Sequence, residues 1–516
     1  MRPIRLMSGV LTVGGWTLAS RLLGFVRDVL IAGLIGPGVM MDAFVAAFRL
    51  PNMFRRFFAE GAFNAAFVPM FSKRLEAGEG AEEFAALAMS GLALVLLALN
   101  GLALLFMPAL VYATAEGFHG DARFDLTVAF GRIVFPYIFF ISLAALLSGV
   151  LNAAGRFAAA AAAPVLLNVL LVTAMGLAWL LGGAVVWALV WTIPLAGLAQ
   201  LALVWVAAER AGLRIRLTRP RWTPEMARLV RIAIPAALAG GVVQVNLLVG
   251  QLVASNYDKA VSWLYSADRL YQLPLGVVGI AVGIVLLPDL SRRLKAGDGD
   301  GARAALSRAG EIALALTVPA AVALVAIPLP LVSVLFERGA FGPDDTAATA
   351  LAVMIYGLGL PAFVLQKILQ PLYFAREDTR SPFRFAVVAM VVNAAVAVGL
   401  SPAIGWIAAA LATSVAAWIM VWQLARGARP FGETARFDAR FRRRAWRICG
   451  AAALMGAALW GLALLLTPLF GHAGWRWLAL AVLIGAGGAV YALAGQALGA
   501  FRLSEFRAAL SRRRPV

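Results

Sequence analysis

The chain carries one decapeptide twice, first as Pro69-Met-Phe-Ser-Lys-Arg-Leu-Glu-Ala-Gly78 and again, 219 residues later, as Pro288-Asp-Leu-Ser-Arg-Arg-Leu-Lys-Ala-Gly297. Six of the ten positions are identical, and a seventh exchanges Lys for Arg. Just upstream, Ala47-Phe-Arg49-Leu50 matches Ala267-Asp-Arg269-Leu270 at an offset of 220 residues. Each decapeptide closes a long apolar stretch. The sequence therefore predicts a duplicated structural unit.

The composition is that of a membrane protein. Hydrophobic residues make up 62% of the 516 positions and charged residues only 14%, whereas soluble domains average roughly half and a quarter. The apolar runs are long and lack the alternating pattern of transmembrane β-strands. The single cysteine, Cys449, excludes a disulfide framework. We therefore expect an all-α polytopic membrane protein.

The apolar runs between charge clusters predict fourteen transmembrane helices, each of about 20 residues or more. They cover approximately residues 8–33, 38–66, 84–109, 126–152, 160–181, 184–207, 229–254, 262–288, 310–336, 346–374, 383–401, 405–425, 446–467 and 475–499. Six spans separate the two decapeptides, so both halves enter the membrane in the same direction. This predicts two parallel six-helix repeats around a central cationic cavity, followed by two C-terminal helices.

The charge clusters also set the predicted domain boundaries. These are an N-lobe of spans 1–6 (1–208), a basic cytoplasmic linker (209–228), a C-lobe of spans 7–12 (229–425), a basic amphipathic interfacial linker (426–445), spans 13 and 14 (446–500) and a basic cytoplasmic tail (501–516). We expect the second linker to lie on the cytoplasmic leaflet. It is either a generic positively charged anchor or a contact for anionic headgroups.

Lysine and arginine are distributed unevenly between the two sides of the membrane. With the N-terminus in the cytoplasm, 33 of the 45 basic residues fall on the cytoplasmic side and 5 on the opposite side. This asymmetry follows the positive-inside rule and predicts that both termini lie in the cytoplasm. It also accounts for the net charge of +19 without nucleic acid as a partner.

Charged residues nevertheless occur within predicted spans 1, 2 and 8. Six are cationic and four anionic: Arg21, Arg27, Arg49, Arg55, Arg56 and Arg269, against Asp28, Asp42, Glu60 and Asp268. A charge at the centre of a membrane helix costs about 2.5–3.5 kcal/mol on insertion scales, so these side chains must face one another or a water-filled cavity. Structural ion pairing alone is one explanation. The cationic excess, and the use of Arg, which binds phosphate oxygens bidentately, favours an anion-binding cavity.

The predicted substrate-binding residues are Arg21, Arg27, Asp28, Asp42, Arg55 and Arg269, with Asn52, Arg49, Arg56, Glu60, Asp268 and Lys367 in support. Arg21 and Asp28 are seven residues apart and share one helix face, with Gly24 between them. Pro51 is expected to kink the second span. Lys367, in the middle of span 10, either snorkels to the interface or faces the cavity.

Signatures of catalysis and nucleotide hydrolysis are absent from the sequence. None of the four lysines is followed by Ser or Thr, so there is no P-loop, and neither HExxH nor GxSxG occurs. His119 and His472 have no partner at metal-ligand spacing. We expect a transporter rather than an enzyme, without a metal or a cofactor.

Three groups of motifs resemble the MurJ (MviN) lipid II flippases of the multidrug/oligosaccharidyl-lipid/polysaccharide exporter superfamily. They are Ser20-Arg21-Leu-Leu-Gly24-Phe-Val-Arg27-Asp28, then Asp42-Ala-Phe with Leu50-Pro51-Asn52-Met-Phe-Arg55-Arg56-x-x-Ala59-Glu60-Gly61-Ala62-Phe63, then Ser262-Trp263-x-Tyr265-x-Ala267-Asp268-Arg269-Leu270. The resemblance extends over the whole chain, including the fourteen spans.

This resemblance implies that the cargo is lipid II, the undecaprenyl-pyrophosphate-linked disaccharide-pentapeptide, moved from the inner to the outer leaflet of the bacterial cytoplasmic membrane by alternating access. It implies that Arg27, Arg55 and Arg269 are functional residues, that Asp28 is their partner, and that spans 13 and 14 form a groove for the lipid tail. A monomer in the phospholipid bilayer is expected. Export of another lipid-linked oligosaccharide or of an amphipathic anion is the alternative, and a membrane scaffold or receptor is a more distant one.

Overall fold

The structure is a computed structural model that describes the backbone of residues 6–55, 62–472 and 474–501, and the side chains of 12–55, 66–234, 247–276, 286–472 and 474–501. Every regular element within those ranges is helical. The chain divides into two compact units, Met1–Ser262 with Arg338–Phe341, and Trp263–Glu337 with Gly342–Val516.

In the described part of the first unit there are ten α-helices. They are α1 (Leu6–Leu34), α2 (Val39–Arg55), α3 (Ala62–Ala77), α4 (Ala81–Leu105), α5 (Met107–Thr114), α6 (Ala122–Val134), α7 (Tyr137–Ala153), α8 (Ala158–Leu180), α9 (Val185–Arg210) and α10 (Pro224–Ser255). Helix α9 packs against α7 and α8, and α8 in turn packs against α1. Helix α2 lies against α6 and α7, and α10 lies against α3. The two helices that carry the charged motifs, α1 and α2, are thus held by different neighbours.

Nine further α-helices lie wholly or mainly in the second unit, among the residues that the structure describes. They are α11 (Ala260–Lys295), whose first turn still belongs to the first unit, α12 (Gly299–Ala326), α13 (Pro328–Phe336), α14 (Pro343–Phe374), α15 (Arg380–Ile404), α16 (Ala408–Gly427), α17 (Ala439–Leu465), α18 (Thr467–Phe470) and α19 (Arg476–Ala497). Helix α14 lies against α12 and α16, and α16 packs on α15. Helix α12 also packs against α17, which packs against α19.

Helices at equivalent positions of the predicted repeats pack in equivalent pairs. In the first unit α7 contacts α9, and in the second α14 contacts α16. The pair α8 and α9 has its equivalent in α15 and α16. One difference is local: the helix breaks at Pro136, between α6 and α7, whereas α14 continues through Pro361.

The second span contains a proline at the position where the sequence predicts a kink. Pro51 lies inside α2, and because it has no N–H it cannot donate to the carbonyl of Ala47. The side-chain amide of the next residue, Asn52, donates to the carbonyl oxygen of Phe48 at 2.8 Å. Asn52 therefore binds the helix backbone next to the proline that lacks a backbone hydrogen bond.

The helix surfaces suit a lipid environment. Among the residues that the structure describes, nine helical segments are long and apolar enough to cross a membrane. One of them, Arg380–Gly427, is long enough to include both α15 and α16. Large apolar side chains point outward, for example Leu181 at 83% exposure and Leu465 at 77%. An apolar exterior of this kind is stable only against hydrocarbon, so the chain is a multi-pass membrane protein.

Helix α10 belongs to the first compact unit, and the lobe boundaries stay a prediction. Helix α10, which the sequence places first in the C-lobe, packs against α3 and α5 of the first unit. The predicted interfacial linker, 426–445, contains a 3-10 segment, Arg429–Ala435, and the beginning of α17. Within the second unit the rings of Phe437 and Phe441 stack with centroids 3.9 Å apart. The linker is therefore packed as well as basic.

Candidate substrate-binding site

Arg27 and Asp28 form an ion pair on α1 that is almost completely enclosed. Arg27 donates to Asp28 Oδ1 from Nη2 at 2.8 Å and from Nε at 3.0 Å. The two side chains are 13% and 7% exposed. From the neighbouring helix α8, Asn168 Oδ1 accepts from Arg27 Nη1 at 2.9 Å. The plane of the guanidinium is therefore set from two sides, by a carboxylate and by an amide.

Gly24 of α1 lies next to Asn168, where α1 and α8 meet. A Cβ on Gly24 would lie 3.5 Å from Asn168 Nδ2. That amide nitrogen also donates to the carbonyl oxygen of Ser20 at 3.0 Å. Arg21, one turn before Gly24, is exposed.

Asn52 and Arg55 lie together near the end of α2. Arg55 Nε donates to Asn52 Oδ1 at 3.2 Å, while the amide nitrogen of Asn52 is bound to the backbone. Asn52, the residue after Pro51, thus orients Arg55. On the preceding turns, Arg49 Nη1 donates to Gln251 Oε1 of α10 at 3.2 Å, which gives Arg49 a structural contact.

Asp42, at the other end of α2, is fully buried. Its Oδ1 accepts from the backbone N–H of Ser262 at 2.9 Å and also from the Ser262 hydroxyl. Its Oδ2 lies 3.6 Å from Arg123 Nη1 of α6. The structure therefore places this predicted binding residue in contact with protein groups and away from solvent.

Arg123 connects Asp42 to the loop that follows α10. Its Nη2 lies 3.2 Å from Asp258 Oδ1, and its Nη1 donates to the Tyr257 carbonyl oxygen at 3.4 Å. It also contacts the Asp121 carboxylate, which accepts the Arg123 backbone N–H and caps α6. Partial burial raises the pKa of Asp121, but the hydrogen bonds and charge of Arg123 outweigh it, so the pKa lies below its ordinary value.

In the second unit, Arg269 lies on α11 over an aromatic ring. Its guanidinium carbon is 4.5 Å from the centroid of Tyr265, a cation–π contact. Its Nη2 is 3.8 Å from Asp268 Oδ2, with the two side chains 29% and 21% exposed. Asp268 in turn accepts from the Gln272 amide. The ion pair between Arg269 and Asp268 is therefore longer, and more exposed to solvent, than the pair between Arg27 and Asp28.

The remaining predicted residues are Lys367, Arg56 and Glu60. Lys367 is exposed on α14. Arg56 and Glu60 lie outside the described residues. Within the part of the chain that the structure describes, no three His, Cys, Asp or Glu side chains come together in a way that could hold a metal ion.

Four residues that contact the predicted site residues were not themselves predicted as site residues from the sequence. They are Asn168, Gln251, Arg123 and Ser262. A signal existed for Asn168, because the interval from Pro136 to Asn168 recurs as Pro361 to Asn393. Both asparagines are buried, at 6% and 1% exposure. Arg123 gave no signal, because the positive-inside count treats it as an ordinary loop arginine.

Comparison with known protein families matches residues 31–480 to the family described as "Lipid II flippase MurJ". The chain belongs to the MurJ family. A "Probable lipid II flippase MurJ" of Rhizobium meliloti (strain 1021) is 46% identical over 519 residues, covering 97% of this chain and 95% of that relative. Another of the same name, from Rhizobium tropici, is 48% identical over 426 residues, covering 81% and 80%.

A solved structure described as "Lipid II flippase MurJ, inward closed conformation" matches this MurJ-family chain with a TM-score of 0.80. It is 24% identical in sequence and covers 95% of this chain and 99% of its own. At that identity the match shows the fold. Together with the helical spans, these findings confirm the predicted family and the predicted class, a multi-pass helical protein of the inner membrane.

Proposed function

We propose that this protein is a lipid II flippase that moves the undecaprenyl-pyrophosphate-linked peptidoglycan precursor from the inner to the outer leaflet of the cytoplasmic membrane. The observation that carries the proposal is the similarity, over nearly the whole chain, to relatives named lipid II flippases. The reaction makes and breaks no covalent bond, so the task is that of a transporter rather than an enzyme.

The proposed architecture is fourteen spans with both termini in the cytoplasm, arranged as two parallel repeats and a C-terminal pair. The equivalent packing of α7 with α9 and of α14 with α16 supports the repeats. The decapeptides at 69–78 and 288–297 support the same direction of entry. Alternating access by two such lobes would expose a binding site first to one side of the membrane and then to the other.

Arg27, Arg55 and Arg269 are the residues we assign to the pyrophosphate. A guanidinium matches phosphate oxygens bidentately, and arginine keeps its charge at any physiological pH. Asn168 and Asn52 bind the first two arginines through amide oxygens, and these are neutral partners that orient a guanidinium without cancelling its charge. Orientation before binding lowers the side-chain entropy lost when the anion arrives.

We assign Asp28 the role of neutralising the charge of Arg27 between transport events. A buried arginine without a counter-charge is costly, and Asp28 supplies one at 2.8 Å. An arriving pyrophosphate would compete with this carboxylate for the same N–H groups. Such an exchange keeps the guanidinium neutralised throughout and therefore avoids a large barrier to both binding and release.

The decisive experiment is rescue of a bacterium depleted of its own lipid II flippase, at matched membrane levels of each variant. Wild type should restore growth and Arg55→Ala should not. Arg214→Ala is the matched control, because Arg214 is an exposed arginine of the basic linker. Rescue by Arg55→Ala, Arg27→Ala and Arg269→Ala alike would overturn the proposed site.

The second candidate is an exporter of another lipid-linked oligosaccharide or amphipathic anion. The arginine side chains favour it as well, since they would accept other phosphate-bearing lipids. Failure of the wild type to rescue, combined with absence of lipid II movement in reconstituted vesicles, would favour this candidate. Movement of lipid II in vesicles without rescue would instead indicate a missing native partner.

A further inference from the structure

A cavity of about 960 Å³ lies within the first unit, and neither Arg27 nor Arg55 is among the described residues that line it. Its walls come from the α7–α8 connection, the start of α8, the second half of α9 and Thr12 of α1. Small or apolar side chains such as Ala154, Ala202 and Leu203 form most of the surface. This volume is near the upper end of the range of about 300–1,000 Å³ typical of ligand pockets.

Two arginines give this apolar cavity a positive charge. Arg156, in the α7–α8 connection, and Arg210, the last residue of α9, both line it, and both side chains are exposed. Among the described residues that line the cavity there is no Asp or Glu. Helix α8 begins on the same wall, and its N-cap residue Phe157 makes no side-chain capping hydrogen bond. The partial positive charge of the helix start therefore adds to that of the arginines.

The position of the two arginines fits a molecule that lies in one leaflet. Arg156 follows the end of α7 and Arg210 is the last residue of α9, and the positive-inside pattern predicts that both lie on the cytoplasmic side. An apolar wall with cationic groups at one end matches a molecule with a hydrocarbon chain and an anionic head. A soluble anion would leave the apolar wall in contact with water, which is unfavourable.

We propose that this cavity is a binding site for an anionic phospholipid of the cytoplasmic leaflet. Arg156 and Arg210 bind the headgroup phosphate, and an acyl chain lies along the surface formed by Ala154, Ala202 and Leu203. Charge complementarity favours this ligand, because the lining is cationic and contains no carboxylate among its described residues. The inference goes beyond the proposed function and does not depend on it.

The test measures lipid retention by the purified full-length protein in detergent, using native mass spectrometry with added phosphatidylglycerol or phosphatidylcholine. Wild type should bind phosphatidylglycerol more tightly than phosphatidylcholine. The double variant Arg156→Gln/Arg210→Gln should lose about tenfold or more of its apparent affinity for phosphatidylglycerol, since two charge-assisted hydrogen-bonding groups are removed. The control is Arg214→Gln/Arg216→Gln, which removes the same charge from exposed positions outside the cavity.

A second variant tests the apolar wall separately. Ala202→Trp fills part of the cavity and keeps both arginines, so it should also reduce retention of phosphatidylglycerol. Equal binding by both arginine double variants would overturn the proposal, as would equal wild-type affinity for the two phospholipids. The same assay is also carried out with undecaprenyl pyrophosphate as the added ligand. If the Arg156→Gln/Arg210→Gln change weakens only its binding, the cavity serves the cargo and the phospholipid assignment is wrong.

Discussion

Asp42 Oδ1 accepts the backbone N–H of Ser262 at 2.9 Å, across 220 residues of sequence. The contact joins the first turn of α2 to the first turn of α11, and Arg123 lies beside it with Nη1 3.6 Å from Asp42 Oδ2. One carboxylate thus satisfies a backbone N–H, a hydroxyl and a cation. Removal of any one group leaves the others buried with an incomplete set of partners.

We expect Asp42→Ala to destabilise the protein more than Ser262→Ala. The serine change leaves the backbone hydrogen bond in place and should cost about 1 kcal/mol. The aspartate change deprives Arg123 of one carboxylate and should cost about 3 kcal/mol. Thermal unfolding in detergent measures both. Ser148→Ala is the control, since that hydroxyl donates only within its own helix, to Ala144. Equal midpoints for Asp42→Ala and wild type would contradict the expectation.

Replacement of Asn168 by Ala should slow lipid II movement without preventing insertion. Arg27 keeps Asp28 but loses the amide that holds Nη1 at 2.9 Å, so the guanidinium becomes less well oriented. We expect a decrease of about three- to tenfold in the rate, corresponding to one hydrogen bond. Proteoliposomes containing fluorescent lipid II provide the measurement. Asn100→Ala is a matched control, because that buried amide donates to Leu96 within its own helix. A wild-type rate in Asn168→Ala would show that Asp28 alone orients Arg27.

Glu311 holds the basic linker against α12, and its removal should loosen the second unit. This carboxylate is 8% exposed and lies 2.6 Å from Arg308 and 3.1 Å from Arg444. Glu311→Gln should cost about 1–3 kcal/mol, because the arginine partners are themselves partly solvated. Glu433→Gln is the comparison, since Glu433 is 60% exposed and should matter much less. Equal shifts of the unfolding midpoint in the two variants would argue against a special role for Glu311.

Asp121 should make stability depend on acid pH. Its pKa in the folded protein lies below the ordinary value of 3.8, so its ionised form is favoured by folding. The resulting stability is present above that value and is lost as the pH falls through the folded pKa. Asp121→Asn should therefore unfold at a lower temperature than wild type at pH 7, and the difference should shrink towards pH 3. A difference that stays constant between the two pH values would indicate lost helix capping rather than lost charge.

The charged motifs were recognisable in the sequence because charge within an apolar run is costly wherever the run folds. Their partners were less predictable. Arg21 and Asp28 share a face of α1, yet seven residues of helix rise about 10 Å, too far for direct contact. In the structure Asp28 pairs with its neighbour Arg27, and the third member of the group, Asn168, comes from α8. Helix periodicity describes one helix at a time and does not identify which other helix packs against it.

Hydrophobic runs and basic loops were sufficient for the helical membrane class, since the bilayer imposes length and charge rules on every span separately. The family was predicted from the resemblance of the motifs around Arg27, Arg55 and Arg269. Contacts such as Asp42 with Ser262 and Arg49 with Gln251 arose only from tertiary packing, over separations of 220 and 202 residues. The burial of Asp42 also results from tertiary packing. Whether a charged residue is exposed or buried depends on the side chains of other helices that pack around it. The local sequence does not show which of those side chains will lie nearby.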